Sequence, residues 1–463
     1  MTTILLGLAG GYLTLLGAGF GLVLLLARGT PRINLIEGCC LAWIFGVGVV
    51  SLLLWAVGTF VSGIALPLFV FAGCFAIAFA GWKCARRSRT TFFVSRPRTV
   101  LQWMLLSLLA FQTAMIFWAS MKHGLGWDGL LDWEIKARYA FLGDNVVPSH
   151  YYNSGRIFSH PEYPLAIPFA ELWLYVWMGE AHQFWIKTIF PVFYAVGAAL
   201  LALLSARLTG KHWAGYGVAV LFFFVPQVTV GVGGAIFGYV DFPISVVYLA
   251  TIGYLLCWIK SDSSYHFRIY SACLAMLPWM KREGAILWLI AATAGIAVIL
   301  IQRQPRAKLL ALAPGLLIMI GWEFYLRALH SPPSQEFLPL SLITFWTNAG
   351  RLLRISRGLF LDITYSESWS VFWLLAVVAI IYLFLRIRNL QNGVLLCAII
   401  FPIMAYSSVY VFSAWPDYLR HAGSSLPRLL MHVIPILWIA IASAASSPLQ
   451  TRTSSTRNVS TES

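Results

Sequence analysis

Runs of about 20 apolar residues recur along nearly the whole chain, and no other feature limits its fold as strongly. A hydrocarbon core of roughly 30 Å is crossed by a helix of roughly 20 such residues. Within lipid, each backbone N–H and C=O must find its partner in the protein, so helices are the expected spanning form. Composition agrees: 60% of the 463 residues are hydrophobic and 11% are charged, whereas a soluble domain carries about 25% charged residues. A single soluble core is excluded. The expected fold is all-α, a polytopic transmembrane helical protein of about 13 spans with juxtamembrane helices on its outer face. Spans are expected near 4–27, 39–58, 64–82, 100–120, 183–205, 213–235, 240–259, 268–281, 284–302, 308–328, 369–386, 392–412 and 428–446. The first is too long for a signal-peptide core and is followed by no small-residue cleavage site, so it reads as a true span.

A net charge of +15 could suggest nucleic acid. The Lys and Arg residues lie instead in short loops between apolar runs, the pattern of the positive-inside rule, and nucleic acid is rejected as a partner. The most basic loop carries Lys83, Arg86, Arg87, Arg89, Arg96 and Arg98 and is placed in the cytoplasm. Arg28/Arg32, Arg207/Lys211, Lys260/Arg268, Arg303/Arg306/Lys308 and Arg386/Arg388 share that side only if a further helix near 164–179 does not cross. That segment is therefore expected to be re-entrant or interfacial, on the outer side. Of the 17 acidic residues, only Glu37, Asp262 and Glu462 then fall inside. The outer face is mixed in charge and holds nearly all the carboxylates, which makes it the place to look for function.

Three regions follow: residues 1–98 with three spans and the basic loop, residues 99–446 with long outer loops at 121–182 and 329–368, and a polar, disordered cytoplasmic tail over 447–463. In the second loop, Leu342, Phe345, Trp346, Ala349, Leu352, Leu353, Leu359 and Phe360 form a stripe that Arg351, Arg354 and Arg357 avoid, as in a helix lying in the membrane interface. The seven cysteines suggest no disulfide framework.

Five constellations could carry chemistry. In HGLGWDGLLDWEIKARYAFLGD, Asp128, Asp132 and Lys136 share one face of a helix, with Asp132 to Lys136 a favourable i,i+4 pair. A carboxylate there could act as general base on a hydroxyl, or the stretch could simply be a juxtamembrane helix with a solvated face. In FSHPEYPLAIPFAELW, His160, Glu162 and Tyr163 could bind an acceptor or form an acid/base pair. They could equally be a turn fixed by Pro161 and Pro164. Asp241 in GYVDFP opens a span. It either caps that helix or meets Asp128, and the two could hold a divalent cation. Lys281 and Arg282 in WMKREGAILW could bind a phosphate or snorkel to headgroups. Arg420, His421 and Arg428 surround the outer end of the last span and suit a leaving-group anion or lipid headgroups. His432 follows one turn later and reads as structural.

The order of these motifs resembles the GT-C superfamily of polyprenyl-phosphate-dependent glycosyltransferases. The nearest branch is the family 39-like bacterial enzymes, related to protein O-mannosyltransferases and lipid A aminoarabinose transferases. The likeness covers residues 100–446: W-D and W-x-x-K-A in an early outer loop, a Tyr-Pro segment before a short helix, an Asp opening a later span, a Lys-x-Glu-Gly turn, and Arg-Leu-Leu-x-His entering the final span. It implies a catalytic base at Asp128 and a second site carboxylate at Asp241, while Asp132 leaves the choice of base open. It further implies a sugar donor linked to polyprenyl phosphate, a lipid, glycan or protein acceptor, surrounding membrane lipids and a bacterial inner-membrane location. The Tyr-Pro segment reads HPEYPL and lacks the double proline of many relatives, so the acceptor class stays open. Two other readings are carried: an O-antigen polymerase or ligase centred on Arg420 and His421, and a transporter or flippase.

Overall fold

The computed structural model describes residues 1–153, 155 and 157–447; the expected disordered tail lies, from 448 onward, outside the described residues. Among those residues, ten helices are long and apolar enough to cross a membrane: Thr2–Leu26, Leu35–Gly58, Ala65–Ser88, Val100–Lys122, Gln183–Thr209, Asp241–Ser261, Gly284–Ile301, Arg306–Ala328, Leu390–Phe412 and Tyr418–Ser446. The chain is thus an integral multi-pass membrane protein. Three further expected spans are shorter. Segment 268–281 corresponds to Ser264–Met280, which ends one residue short of Lys281, and 369–386 holds Phe372–Leu385. The stretch 213–235 gives His212–Phe222 and a turn at Pro226–Thr229. Pro226 has no N–H to continue the earlier helix, and the glycines at 231, 233, 234 and 238 favour irregular backbone beyond it.

Helix ends are set by local chemistry. The Asn34 side chain accepts from the amides of Ile36 and Glu37, and that of Asn389 from Gln391 and Asn392. Gly179 and Gly210 close their helices in the left-handed conformation.

Hydrogen bonds sort the turns into two ends of the bundle. At one, Arg268 donates to the carbonyls of Leu26 (2.5 Å) and Arg28 (2.8 Å). Lys260 donates to those of Arg207 and Leu208, and Lys211 to that of Ser446. A short parallel ladder pairs Arg32–Asn34 with Thr91–Phe93. This is the basic end. At the other, Asn145 donates to the Gly63 carbonyl, Lys187 to that of His123 and Trp322 to that of Glu162. This is the mixed-charge end. Helix Ala166–Met178 has only 13 residues. Glu162 before it and Lys187 after it both lie at the mixed-charge end.

The expected single helix in the second loop is two pieces, Leu342–Asn348 and Arg351–Ile363, parted at Ala349–Gly350. Arg351 does not lie free beside the stripe; it donates to the carbonyls of Val411 and Ser413. Leu342, Trp346 and Leu353 remain exposed. The N-terminal helices are fastened to the rest by Tyr12 on Thr188, by Trp279 donating to Ser51, and by Glu37 on Arg207 and Tyr254.

Candidate functional site

Four segments converge at the mixed-charge end. The first loop is tied to the segment before Asp241 by the Gly126 amide, which donates to the Phe237 carbonyl at 2.8 Å. Gly129 packs so tightly there that an added Cβ would lie 2.6 Å from the Phe237 oxygen. Gly238 turns the opposing segment at φ +80°, a conformation in which a side chain is strained. These close approaches set Asp128 opposite Asp241. Asp241 begins its helix, where the backbone amides favour a carboxylate. Lys281 ends the helix before a tight turn whose Gly284 leaves no room for a Cβ, which would lie 1.8 Å from the Leu277 carbonyl. Arg428 and His432 come from the last apolar helix, Tyr418–Ser446.

Arg428 is the hub. Its Nη1 pairs with Asp128 Oδ2 and lies 3.9 Å from Asp241 Oδ2. The other Asp241 oxygen receives Lys281 Nζ at 2.7 Å and lies 3.3 Å from His432 Nε2. Lys281 also contacts Glu283 at 3.0 Å. Burial opposes the Lys281 charge, but Asp241 and Glu283 outweigh it and hold the ammonium well above its usual range. The second His432 nitrogen bonds the Tyr406 hydroxyl at 2.9 Å. Asp241 is 1% exposed, whereas the Asp128 side chain keeps 21% exposure and faces the open side. The guanidinium of Arg428 sits between the two carboxylates, which the sequence offered either as a pair able to hold a divalent cation or with Asp241 as a helix cap. Among the described residues, no group of three or more His, Cys, Asp or Glu is arranged to hold a metal.

Asp132 and Lys136 behave otherwise than an α-helical spacing suggests. Residues Gly129–Glu134 form a π-helical turn, a widening that recurs at functional sites. It buries Asp132 while Asp128 stays partly open. Lys136 does not make its expected pair within the loop; its ammonium donates to the His160 carbonyl at 2.6 Å and lies against the Trp133 and Tyr163 rings. Burial, and next the Asp128 charge, push the Asp132 carboxyl up to about 7. Burial also drives the Lys136 ammonium below its usual value. His160 stacks on Tyr163, with ring centres 4.7 Å apart, and lies 3.4 Å from Glu162. Burial works against the charges of His160 and Glu162, but their mutual contact prevails: His160 is held above its usual value and Glu162 below. Arg282 reaches Glu162 at 3.6 Å with 55% of its side chain exposed.

Two expected anion-binding residues stand apart. Arg420 is exposed, and its backbone amide, not its side chain, is engaged by Asp417. His421 is buried, bonded to Ser413 and stacked on Trp415. His421 thereby ties its helix to the loop at Ser413 and Trp415.

Three further residues belong to the site. His432, structural by its sequence context, lies against Asp241. Glu336 enters because residues 336–338 pair with 412–414, and burial raises its carboxyl. Tyr239 lies under the Arg428 guanidinium. Outside the site, Glu171 is fully buried near Glu134, with both carboxyl oxygens lacking a hydrogen-bond partner among the described residues. Only His432 had a visible cue, the four-residue spacing from Arg428.

No family model matches this chain, and no match is found among curated proteins or solved structures.

Proposed function

We propose that the protein is a membrane glycosyltransferase that moves a sugar from a polyprenyl-phosphate donor to an acceptor hydroxyl at the outer face. In this reading the chain makes thirteen passes, the basic end is cytoplasmic, and the membrane is a bacterial inner membrane. The observation that carries it is the Asp128–Arg428–Asp241 arrangement: a partly open carboxylate held against a guanidinium that a buried second carboxylate anchors from behind. The donor phosphate takes the place of Asp128 on Arg428, helped by Lys281 and by Arg282 at the rim. Asp128 is thereby released as a base. Its carboxylate accepts the acceptor's hydroxyl proton as the oxygen bonds to the anomeric carbon. The bond from that carbon to the phosphate oxygen breaks, and polyprenyl phosphate leaves with its charge on the cations. Inversion follows from a single displacement. Asp241 and His432 position Lys281 and Arg428. Lys136, His160, Glu162 and Tyr163 line the acceptor side. Arg428 supplies the positive charge between the carboxylates, and this scheme routes no step through a metal.

Transfer from radiolabelled polyprenyl-phosphate sugars, measured in membrane vesicles for Asp128→Asn and Arg420→Ala side by side, tests the assignment. Asp128→Asn should lose activity and Arg420→Ala should keep it. The reverse pattern would favour the polymerase or ligase reading, which the engagement of His421 by Ser413 and Trp415 weighs against.

A further inference from the structure

A second site lies at the opposite end of the molecule. A cavity of ≈ 430 Å³ opens there between the loop Val94–Pro97, the helix Val100–Lys122 and the helix Ile189–Thr209. Its walls include Ile36, Trp103, Leu109, Ala202 and Tyr216, and its charged residue is Arg96. The loop over it is fixed: Arg32–Asn34 pairs with Thr91–Phe93, and Asn34 donates to Ser95 at 2.9 Å. The helix that forms one wall is the least covered of the apolar helices. Trp103, which lines the cavity from the first turn of this helix, is itself exposed, so the opening lies on the lipid-facing side of the bundle.

Charge at the rim has one sign. Arg96 is exposed and has no acidic partner among the described residues. Glu37, next in the chain to the lining residue Ile36, is taken by Arg207 and Tyr254. Arg86, Arg87, Arg89 and Arg98 lie on the same basic segment. An apolar cavity reached from lipid offers a polar metabolite little, and an inorganic anion would leave the walls uncovered. Cationic pockets between helices at a basic membrane face suit anionic lipid headgroups, and the volume falls within the range of roughly 300–1,000 Å³ typical of ligand pockets.

We infer that this cavity binds an anionic phospholipid of the surrounding leaflet, with one acyl chain between Trp103, Leu109 and Ala202 and the phosphate on Arg96. The site is independent of the glycosyl-transfer reading.

The test uses the full chain in nanodiscs containing phosphatidylglycerol and phosphatidylcholine of identical acyl chains, with retained lipid counted by native mass spectrometry. Wild type should retain phosphatidylglycerol over phosphatidylcholine by roughly fivefold, the ratio matching about 1 kcal/mol for one arginine at a membrane surface. Arg96→Gln should remove that preference. Ala202→Phe, which fills the cavity, should abolish retention of both lipids. Leu106→Trp fills it from another wall, so the result does not depend on one variant folding. Inorganic phosphate should not displace the lipid. A wild type without headgroup preference, cavity-filled variants that retain phosphatidylglycerol as wild type does, or displacement by inorganic phosphate would each overturn the proposal.

Discussion

Two acid–arginine clusters, that of Glu37 at the basic end and that of Arg428 at the mixed-charge end, are built differently. At the basic end, Glu37 has a single complete set of partners: Arg207 grips both oxygens, at 2.9 and 2.5 Å, and the Tyr254 hydroxyl adds a third bond at 2.5 Å. One carboxylate, one guanidinium and one phenol satisfy each other in the bidentate geometry that makes such pairs strong. At the mixed-charge end, two carboxylates share one guanidinium, one lysine divides between Asp241 and Glu283, and capacity is left over. Arg428 Nε and Asp132 Oδ1 are buried without a hydrogen-bond partner among the described residues. Unmet buried polar groups are costly, and they persist where function requires them. The first cluster is a closed fastener; the second keeps polar atoms with unmet hydrogen-bonding capacity among the described residues.

Substitutions can break this contrast. The largest effect is expected from Asp128→Asn. Transfer should fall by about 10²–10⁴-fold, the usual contribution of a general base, while melting temperature stays near wild type because Arg428 keeps Asp241. Arg207→Ala should do the converse. It strands Glu37 at 2% exposure, and breaking a buried pair costs about 3–5 kcal/mol. Denaturation should show that loss, with activity per folded molecule retained. If Arg207→Ala instead lowered activity without lowering stability, the two ends would not differ as described.

A smaller effect is expected from Gly238→Ala. Its φ of +80° and a Cβ placed 2.4 Å from Leu125 Cδ2 should cost about 1–3 kcal/mol and should raise the KM for donor, because the turn sets Asp241. Smallest is a pH effect from Asp132. Its carboxyl rises from 3.8 to about 7 on folding, so the folded state binds more protons between those values. The stability contribution is complete below about pH 4 and is lost as pH rises through about 7. Asp132→Asn should lack this decline, so its melting temperature should gain on wild type across that window and level off above it.

Much of this was legible in the sequence because lipid is an undemanding reader: it requires long apolar runs, and ten of those expected are helices that meet that requirement. The shorter ones escape it. Ser264–Met280 is packed among other helices and carries Tyr265, His266, Arg268 and Tyr270, so its register depends on protein neighbours as well as on lipid. The site was legible to a similar extent. Asp128, Asp241, Lys281 and Arg428 stood out because charge at a span end is costly without a partner. Which partner each takes was not legible. Arg428 stands between the carboxylates because of how its helix is rotated, and Asp132 is buried because a π-turn changes the spacing. Glu336 is brought in by backbone pairing to residues 412–414, which no local pattern announces.

The pairing of Asp128 with Arg428 also has a consequence for biosynthesis. The two lie 300 residues apart in the chain. At about 5–20 residues per second, translation needs on the order of 15–60 seconds to deliver the arginine after the aspartate. During that interval the membrane holds a nascent bundle whose two key carboxylates lack their shared counter-charge. A ribosome that stalls before the last helix leaves an unbalanced, recognisably immature product. The site is therefore assembled only once the last apolar helix has been made.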